Sequence, residues 1–199
     1  MKTVRTLGFF GALRLTRDLL FTKIFYPQSR ILRIPIYIRG QRYIDLGKGL
    51  TTGPNLRIDA FPHMIGGSNQ VLKIGDDVEI NDYVHIAAVL NIEIGSHVLI
   101  ASKVFITDHN HGSYTGSNQS HPMEHPKDRK LDAKPVKIED NVWIGEYVTI
   151  LPGVTVGRGS IIGTSSVVTR DIPPYTIAVG IPAKVIKRYN EQKGIWEKV

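Results

Sequence analysis

The sequence predicts an all-β solenoid, a parallel β-helix of short strands, with an N-terminal helical segment, one long loop excursion and a short C-terminal helical tail. Three observations carry this. Isoleucine or valine returns every sixth residue at Ile138, Ile144, Ile150, Val156, Ile162 and Val168. An earlier run at Ile74, Ile80, Ile86 and Ile92 keeps the same step and, after a two-residue slip, resumes at Ile94, Ile100 and Ile106. A second set of small residues, Val78, Val84, Val98, Val104, Val142, Val148, Val154 and Ser160, follows the anchors four positions later. A helix repeats near 3.6 residues and a flat strand near 2, so neither accounts for apolar residues locked to multiples of six. Short strands on successive faces of a coil do account for it, because each anchor then stacks on its equivalent one coil away.

Taken in order, residues 1–30 form a basic segment. Leu7, Phe10, Ala12, Leu13, Leu15, Leu19, Leu20 and Ile24 are interspersed with Arg14, Arg17 and Lys23, the pattern of an amphipathic helix ending before Pro27. Such a helix can cap the open end of a β-coil or, being basic, lie on an anionic membrane surface. Residues 31–173 are the coil. It starts imperfectly between Ile31 and Ile58, is interrupted by a Gly-, Ser- and Pro-containing turn at 61–70, and is interrupted again by a loop spanning 107–137. Gly75, Gly95, Gly145, Gly157 and Gly163 follow anchors and mark turns with little room for a side chain. Pro173, Pro174 and Pro182 end the repeats, and 174–199 is a basic tail read as helical.

Composition excludes several classes of chemistry. With no cysteine there is no disulfide, thiol nucleophile or thiolate metal site. No apolar stretch approaches the roughly 20 residues that span a bilayer, and no signal-peptide cleavage pattern is evident, so a cytoplasmic protein is expected. The net charge of +7 is unevenly spread: residues 1–42 carry nine Lys or Arg against Asp18 alone, and the remainder is close to neutral. A basic head without a recognisable nucleic-acid-binding module argues against a nucleic-acid partner.

Regular repeats tolerate insertions at corners, and long polar insertions there are commonly functional. The loop opens with Thr107-Asp108-His109-Asn110-His111-Gly112. Either histidine could act as a general base near neutral pH, and Asp108 could set the tautomer of one of them. With no Gly-x-Ser-x-Gly element, P-loop or Gly-x-Gly-x-x-Gly element present, a base without a protein nucleophile points to direct transfer onto a hydroxyl or amine. His63, His85, His97, His121 and His125 read as ordinary solvated or hydrogen-bonded histidines.

The segments Ile-Gly-Asp-Asp-Val-Glu-Ile-Asn, Thr-Asp-His-Asn-His, Asn-Val-Trp-Ile-Gly, Ile-Leu-Pro-Gly-Val-Thr-Val-Gly and Gly-Ile-Pro-Ala-Lys-Val-Ile together resemble the hexapeptide-repeat acyltransferases. Within these the chain is similar to the maltose and galactoside acetyltransferase branch, and most of all to the lipopolysaccharide O-antigen O-acetyltransferases. The resemblance implies a left-handed winding, an exception to the usual right-handed crossover, and a homotrimer with active sites between subunits. It implies acetyl-CoA as co-substrate, no metal, and a sugar or polysaccharide acceptor.

Carried over by position, the resemblance makes His111 the catalytic base, with His109 as the neighbouring candidate and Asp108 as the residue that orients one of them. Asn81 and Trp143 match acceptor-site positions. Thr164, Thr169 and Arg170 match positions that contact the pantetheine or nucleotide of the co-substrate, and Lys184 a basic position near its phosphates. Glu146 stands where many relatives carry Ser or Ala beside the thioester channel, which sets this chain apart at that cofactor contact. N-acetylation of an amino sugar or small xenobiotic is the enzymatic alternative; a zinc enzyme using His109 and His111 and a non-catalytic scaffold are the other classes.

Overall fold

The computed structural model describes residues 2–199, and side chains from Thr6 onward; the Lys2 and Arg5 side chains of the basic segment lie outside the described residues. After helix α1 (Lys2–Phe25), short strands are delivered in rotation to three sheets. Within the coil all neighbouring strands are parallel. The six-residue step sets the width of each face and the coil closes after three. Ile138 pairs with Val156, Ile144 with Ile162 and Ile150 with Val168, each eighteen residues on.

The anchors line the interior. Ile80, Ile86, Ile100, Ile106, Ile144 and Ile150 are at most 1 % exposed, and the second set from Val78 to Ser160 is equally buried. Core Ile→Ala changes cost roughly 2–5 kcal/mol in packing of this kind. The glycines after the anchors are required by close stacking. A Cβ on Gly75 would lie 2.6 Å from the carbonyl carbon of Gly95, and one on Gly145 would lie 2.7 Å from the Thr164 nitrogen. The left-handed backbone of each corner falls two residues later, at Asp77, Tyr83, His97, Lys103, Asn141, Tyr147 and Ser165, all with φ between 52° and 61°. The glycines therefore mark coil contact and not the corner's positive φ.

One corner is irregular in three consecutive coils. From the sheet that carries Leu56–Ala60, His85–Ala88 and Phe105–Thr107, the chain turns to the sheet that carries Leu72–Ile74, Ile92–Ile94 and Val136–Ile138. The regular step across this corner is six residues, from Ile150 to Val156. It is sixteen from Ile58 to Ile74, eight from Ile86 to Ile94 and thirty-two from Ile106 to Ile138. The 61–70 turn, the two-residue slip and the long loop thus stack on one edge of the coil. Inside the long loop, His109–His111 pairs antiparallel with Leu131–Ala133 to form a two-stranded ribbon.

Two termini depart from expectation. The tail is not helical: Lys184–Asn190 pairs antiparallel with Thr176–Val179, and Ile195–Lys198 pairs antiparallel with Lys184–Asn190. Val185, Lys187 and Tyr189 alternate half-buried with exposed Lys184, Ile186 and Arg188, so the period is 2. The hairpin thereby covers an edge of the sheet that would otherwise be open. Helix α1 ends at Phe25 as its Pro27 predicts, but it meets the coil through polar groups. Thr22 and Asp18 are its buried side chains; the Leu32 N–H donates to Thr22 Oγ1 at 2.8 Å, and Arg17 caps Asp18 at 2.7 Å. Of the apolar residues expected to cover the coil, only Ala12 and Leu15 are half-buried; Phe10 is 75 % exposed and Ile24 69 %. No helix among the described residues is long and apolar enough to cross a membrane.

Candidate active site

The irregular corner encloses a cleft of about 600 Å³. Phe61 and Met64 enter it from the first excursion, Val89 from the second, and His109, Asn110 and His111 from the third; its floor is the outer face of the sheet, with Arg39, Arg57, Asp59, His85 and Phe105.

Asp108 is the keystone of this corner. Its carboxylate is fully buried and accepts the backbone N–H groups of Val89, Leu90 and Asn91 at 2.8–3.1 Å. These are the residues around the two-residue slip, so the long loop is clamped onto the previous coil's extra backbone. Hydrogen bonds to a charged acceptor are worth about 1.5–3 kcal/mol each, which explains how a carboxylate can be held away from water. The same carboxylate lies 2.9 Å from His109 Nδ1, whose other neighbour is Thr107 Oγ1 at 3.3 Å. The His109 side chain is 15 % exposed. The tautomer that carries its proton on Nδ1 donates it to Asp108 and leaves the Nε2 lone pair unused by that contact.

His111 sits one ribbon step farther out, exposed, with its ring centroid 6.4 Å from that of His109. Its backbone carbonyl accepts the Tyr114 hydroxyl, and Tyr114 is in turn held by Arg129 Nη1 at 2.9 Å. Arg129 also donates to the carbonyls of Pro122 and Glu124, so one guanidinium ties the far side of the loop together.

The other expected site residues are distributed over the coil. Thr169 follows Val168, which stacks on Ile150, and so shares the histidines' corner; Arg170 is adjacent and exposed. Asn81, Glu146 and Thr164 lie together on a different corner, the one between the Trp143 sheet and the cleft's sheet, where Ser165 N–H donates to the Glu146 carbonyl at 2.8 Å. Trp143 is half-exposed on the outer face of its own sheet, and Lys184 begins the C-terminal hairpin. None of Asn81, Trp143, Glu146, Thr164 and Lys184 lines the histidine cleft of the same chain. Arg170 and Lys184 form no ion pair with the described residues. Among the described residues no three His, Asp or Glu side chains are grouped to hold a metal ion.

Sequence reasoning missed the cleft's floor. Asp59, only 6 % exposed, accepts Arg39 through both carboxylate oxygens, Arg57 Nε at 2.8 Å and His85 Nε2 at 3.1 Å. Burial opposes ionisation of Asp59, but hydrogen bonds from Arg39 and His85 and the charges of Arg39 and Arg57 outweigh it and hold the carboxyl below its ordinary range. His85 is pushed down, first by its own burial and further by Arg57 and Arg39, with Asp59 opposing, and its ring packs 5.2 Å from that of Phe105. The one available signal was Arg57-Ile58-Asp59, an alternation that places both charges on the outer face of a strand.

Comparison with known proteins agrees with this architecture. Residues 135–170 match the bacterial transferase hexapeptide (six repeats) family. The chain is 46 % identical over 199 residues, all of it and 98 % of the relative, to the Escherichia coli (strain K12) protein named "Putative lipopolysaccharide biosynthesis O-acetyl transferase WbbJ". It is 38 % identical to galactoside O-acetyltransferase of the same organism over 144 residues, 71 % of this chain and 65 % of the relative. Among solved structures, a hexapeptide-repeat-containing acetyltransferase of Vibrio cholerae O1 biovar eltor complexed with acetyl coenzyme A superposes with a TM-score of 0.51 at 26 % identity, covering 78 % of this chain and 72 % of that one. The N-acyltransferase AntD of Bacillus cereus shares the fold, with a TM-score of 0.68 at 18 % identity, covering 87 % of this chain and 90 % of that one. With 46 % identity across nearly the whole of a relative named as an O-acetyl transferase and hexapeptide repeats matched at 135–170, the chain belongs to the hexapeptide-repeat acetyltransferases.

Proposed function

We propose that this acetyltransferase moves an acetyl group from acetyl-CoA to a sugar hydroxyl of a bacterial surface polysaccharide, O-antigen or capsule, or of its precursor. The observation that carries the reading is the Asp108–His109 pair, with His111 beside it, at the mouth of a cleft in a chain so similar to an O-acetyl transferase named for lipopolysaccharide biosynthesis. Bound acetyl-CoA supplies an acetyl group activated as a thioester. The base takes the acceptor's hydroxyl proton as that oxygen attacks the thioester carbonyl; the C–S bond then breaks, and the departing CoA sulfur takes the proton back from the base, leaving the sugar ester and free CoA thiol. Family resemblance points to His111, at the exposed rim; the Asp108 contact points to His109, whose ring is already oriented. His109→Ala and His111→Ala, tested separately, decide: loss of the base lowers kcat by about 10²–10⁴-fold. If both variants kept wild-type transfer, the base assignment would fall. Acceptors that respond only through an amine would replace O-acetylation with N-acetylation.

Two features of assembly go with this reading. The coil is taken as left-handed and the protein as a homotrimer. The separation of Asn81, Trp143, Glu146 and Thr164 from the histidine corner supports an active site completed by a neighbouring copy, which light scattering of the purified chain tests. The exposed Phe9, Phe10, Leu20, Ile24 and Phe25 of α1, together with Arg14 and Lys23, support peripheral contact with the cytoplasmic face of the inner membrane. Co-sedimentation with anionic but not neutral vesicles is the expected result; equal recovery with both would count against it.

A further inference from the structure

The cleft's floor holds more cation than its structure needs. A single buried carboxylate, Asp59, is shared by two guanidiniums and an imidazole. Arg39 meets it through Nε and Nη2, and Arg57 through Nε alone. Arg39 Nη1 and both Nη groups of Arg57 find no partner among the described residues, and the two side chains are about half exposed. A purely structural ion pair would need only one arginine per carboxylate. Here Asp59 pins both guanidiniums at their inner edges, removing most of the rotamer entropy that an arginine loses on capturing a ligand. Burial disfavours the protonated form of His85, so the two guanidiniums are the floor's principal cations.

The surroundings set the direction of the opening. Arg39 stacks 5.4 Å from the Phe61 ring centroid, and Phe61, Phe105, His109 and His111 border the same cleft. Arg39 lies across from Asp59 and Arg57 stands two residues before Asp59 on the same strand, a diagonal of roughly 8 Å between the two arginine backbones, and both guanidiniums converge on the one carboxylate. Planar guanidinium edges are suited to phosphate oxygens.

Resting on the acetyl-transfer reading of this cleft, we infer that Arg39 and Arg57 form an anion subsite for a phosphate or diphosphate carried by the acceptor, so that the sugar is acetylated as a phosphate-linked precursor. A nucleoside diphosphate and a polyprenyl diphosphate present the same chemistry, and the two sources are separated by offering each as the carrier of the same sugar.

The experiment has a binding arm and a kinetic arm. Calorimetry with inorganic pyrophosphate on the full chain should detect binding that weakens about ten- to hundredfold in Arg57→Gln and in Arg39→Gln, the equivalent of losing one charge-assisted contact. Arg57→Lys should keep part of it, and thermal melts establish that each variant is folded. Pyrophosphate should compete with the acceptor and not with acetyl-CoA, and Arg57→Gln should lower the ratio of kcat/KM for a diphosphate-linked sugar to that for the same free sugar by tenfold or more. No pyrophosphate binding, binding indifferent to both arginines, or competition with acetyl-CoA alone would overturn the subsite. If no sugar is acetylated while arginine-dependent binding persists, the functional reading fails and the anion site stands.

Discussion

Two outer faces of the same coil carry ionic side chains and use them differently. On the next sheet, round the irregular corner from the cleft's floor, Lys73, Glu93 and Lys137 stack in register, and Glu139, Asp140 and Arg158 continue the pattern across the following corner. Signs alternate, the pairs are long, at 3.6 Å for Lys137–Glu139 and 3.7 Å for Arg158–Asp140, and the side chains remain largely in water. On the cleft's face Asp59 is buried, the arginines outnumber it and aromatic rings border it. Solvated alternation merely keeps a coil's surface polar, worth little per pair. A buried acid with surplus cations fixes geometry and leaves charge for a partner, so the placement of charge separates working face from supporting face where repeat and register do not.

The largest effect expected from breaking this contrast is at Asp108. Replacing it with Ala leaves three backbone N–H groups and His109 Nδ1 without their acceptor, which should cost about 3–5 kcal/mol of stability and lower acetyl transfer with it. Asp108→Asn keeps the shape but still turns an amide toward donors; denaturant melts and kcat/KM measured together distinguish loss of fold from loss of orientation.

The next effect is a pH dependence built on Asp59. Its folded-state pKa is depressed, so its stabilisation is present above the unfolded value of 3.8 and is lost as pH falls further through the folded value. His85, also depressed, acts in the same direction from 6.5 downward, because the unfolded chain binds its proton first. Wild-type stability should therefore fall between pH 7 and pH 3, and Asp59→Asn should flatten the acid part of that curve; an unchanged profile would show that the cluster contributes nothing. The smallest effect belongs to the supporting face. Glu93→Ala and Lys137→Ala should each change stability by less than about 1 kcal/mol and leave acetyl transfer at wild-type levels, as a melt and a single rate assay would show.

The coil was legible because its information is one-dimensional. Anchors six residues apart announce their faces without any knowledge of partners, and the thirty-two-residue step from Ile106 to Ile138 announces the loop. The pairing of Asp108 with one histidine was legible too, since both lie in one hexapeptide. The floor was not, because Arg39, Asp59 and His85 come from successive coils and meet only through strand register, across a first coil too irregular to number. The C-terminal tail misled because its lysines and arginines resemble a helical surface, while Val185 and Tyr189 alternate with a strand's period. Helix α1 had the right length but an unexpected orientation, because polar Asp18 and Thr22 took the inward positions.

The stacked excursions at one corner also bear on how such an enzyme can change. Loop-closure entropy grows only with the logarithm of length, so joining Ile106 to Ile150 across forty-four residues, where a regular coil uses eighteen, costs about 1 kcal/mol more. Lengthening a corner is cheap, whereas altering an anchor is expensive. The 61–70 turn can therefore be lengthened or replaced without touching the repeat, whereas the histidine ribbon, fastened by Asp108 to the Val89–Asn91 backbone, is held in one place.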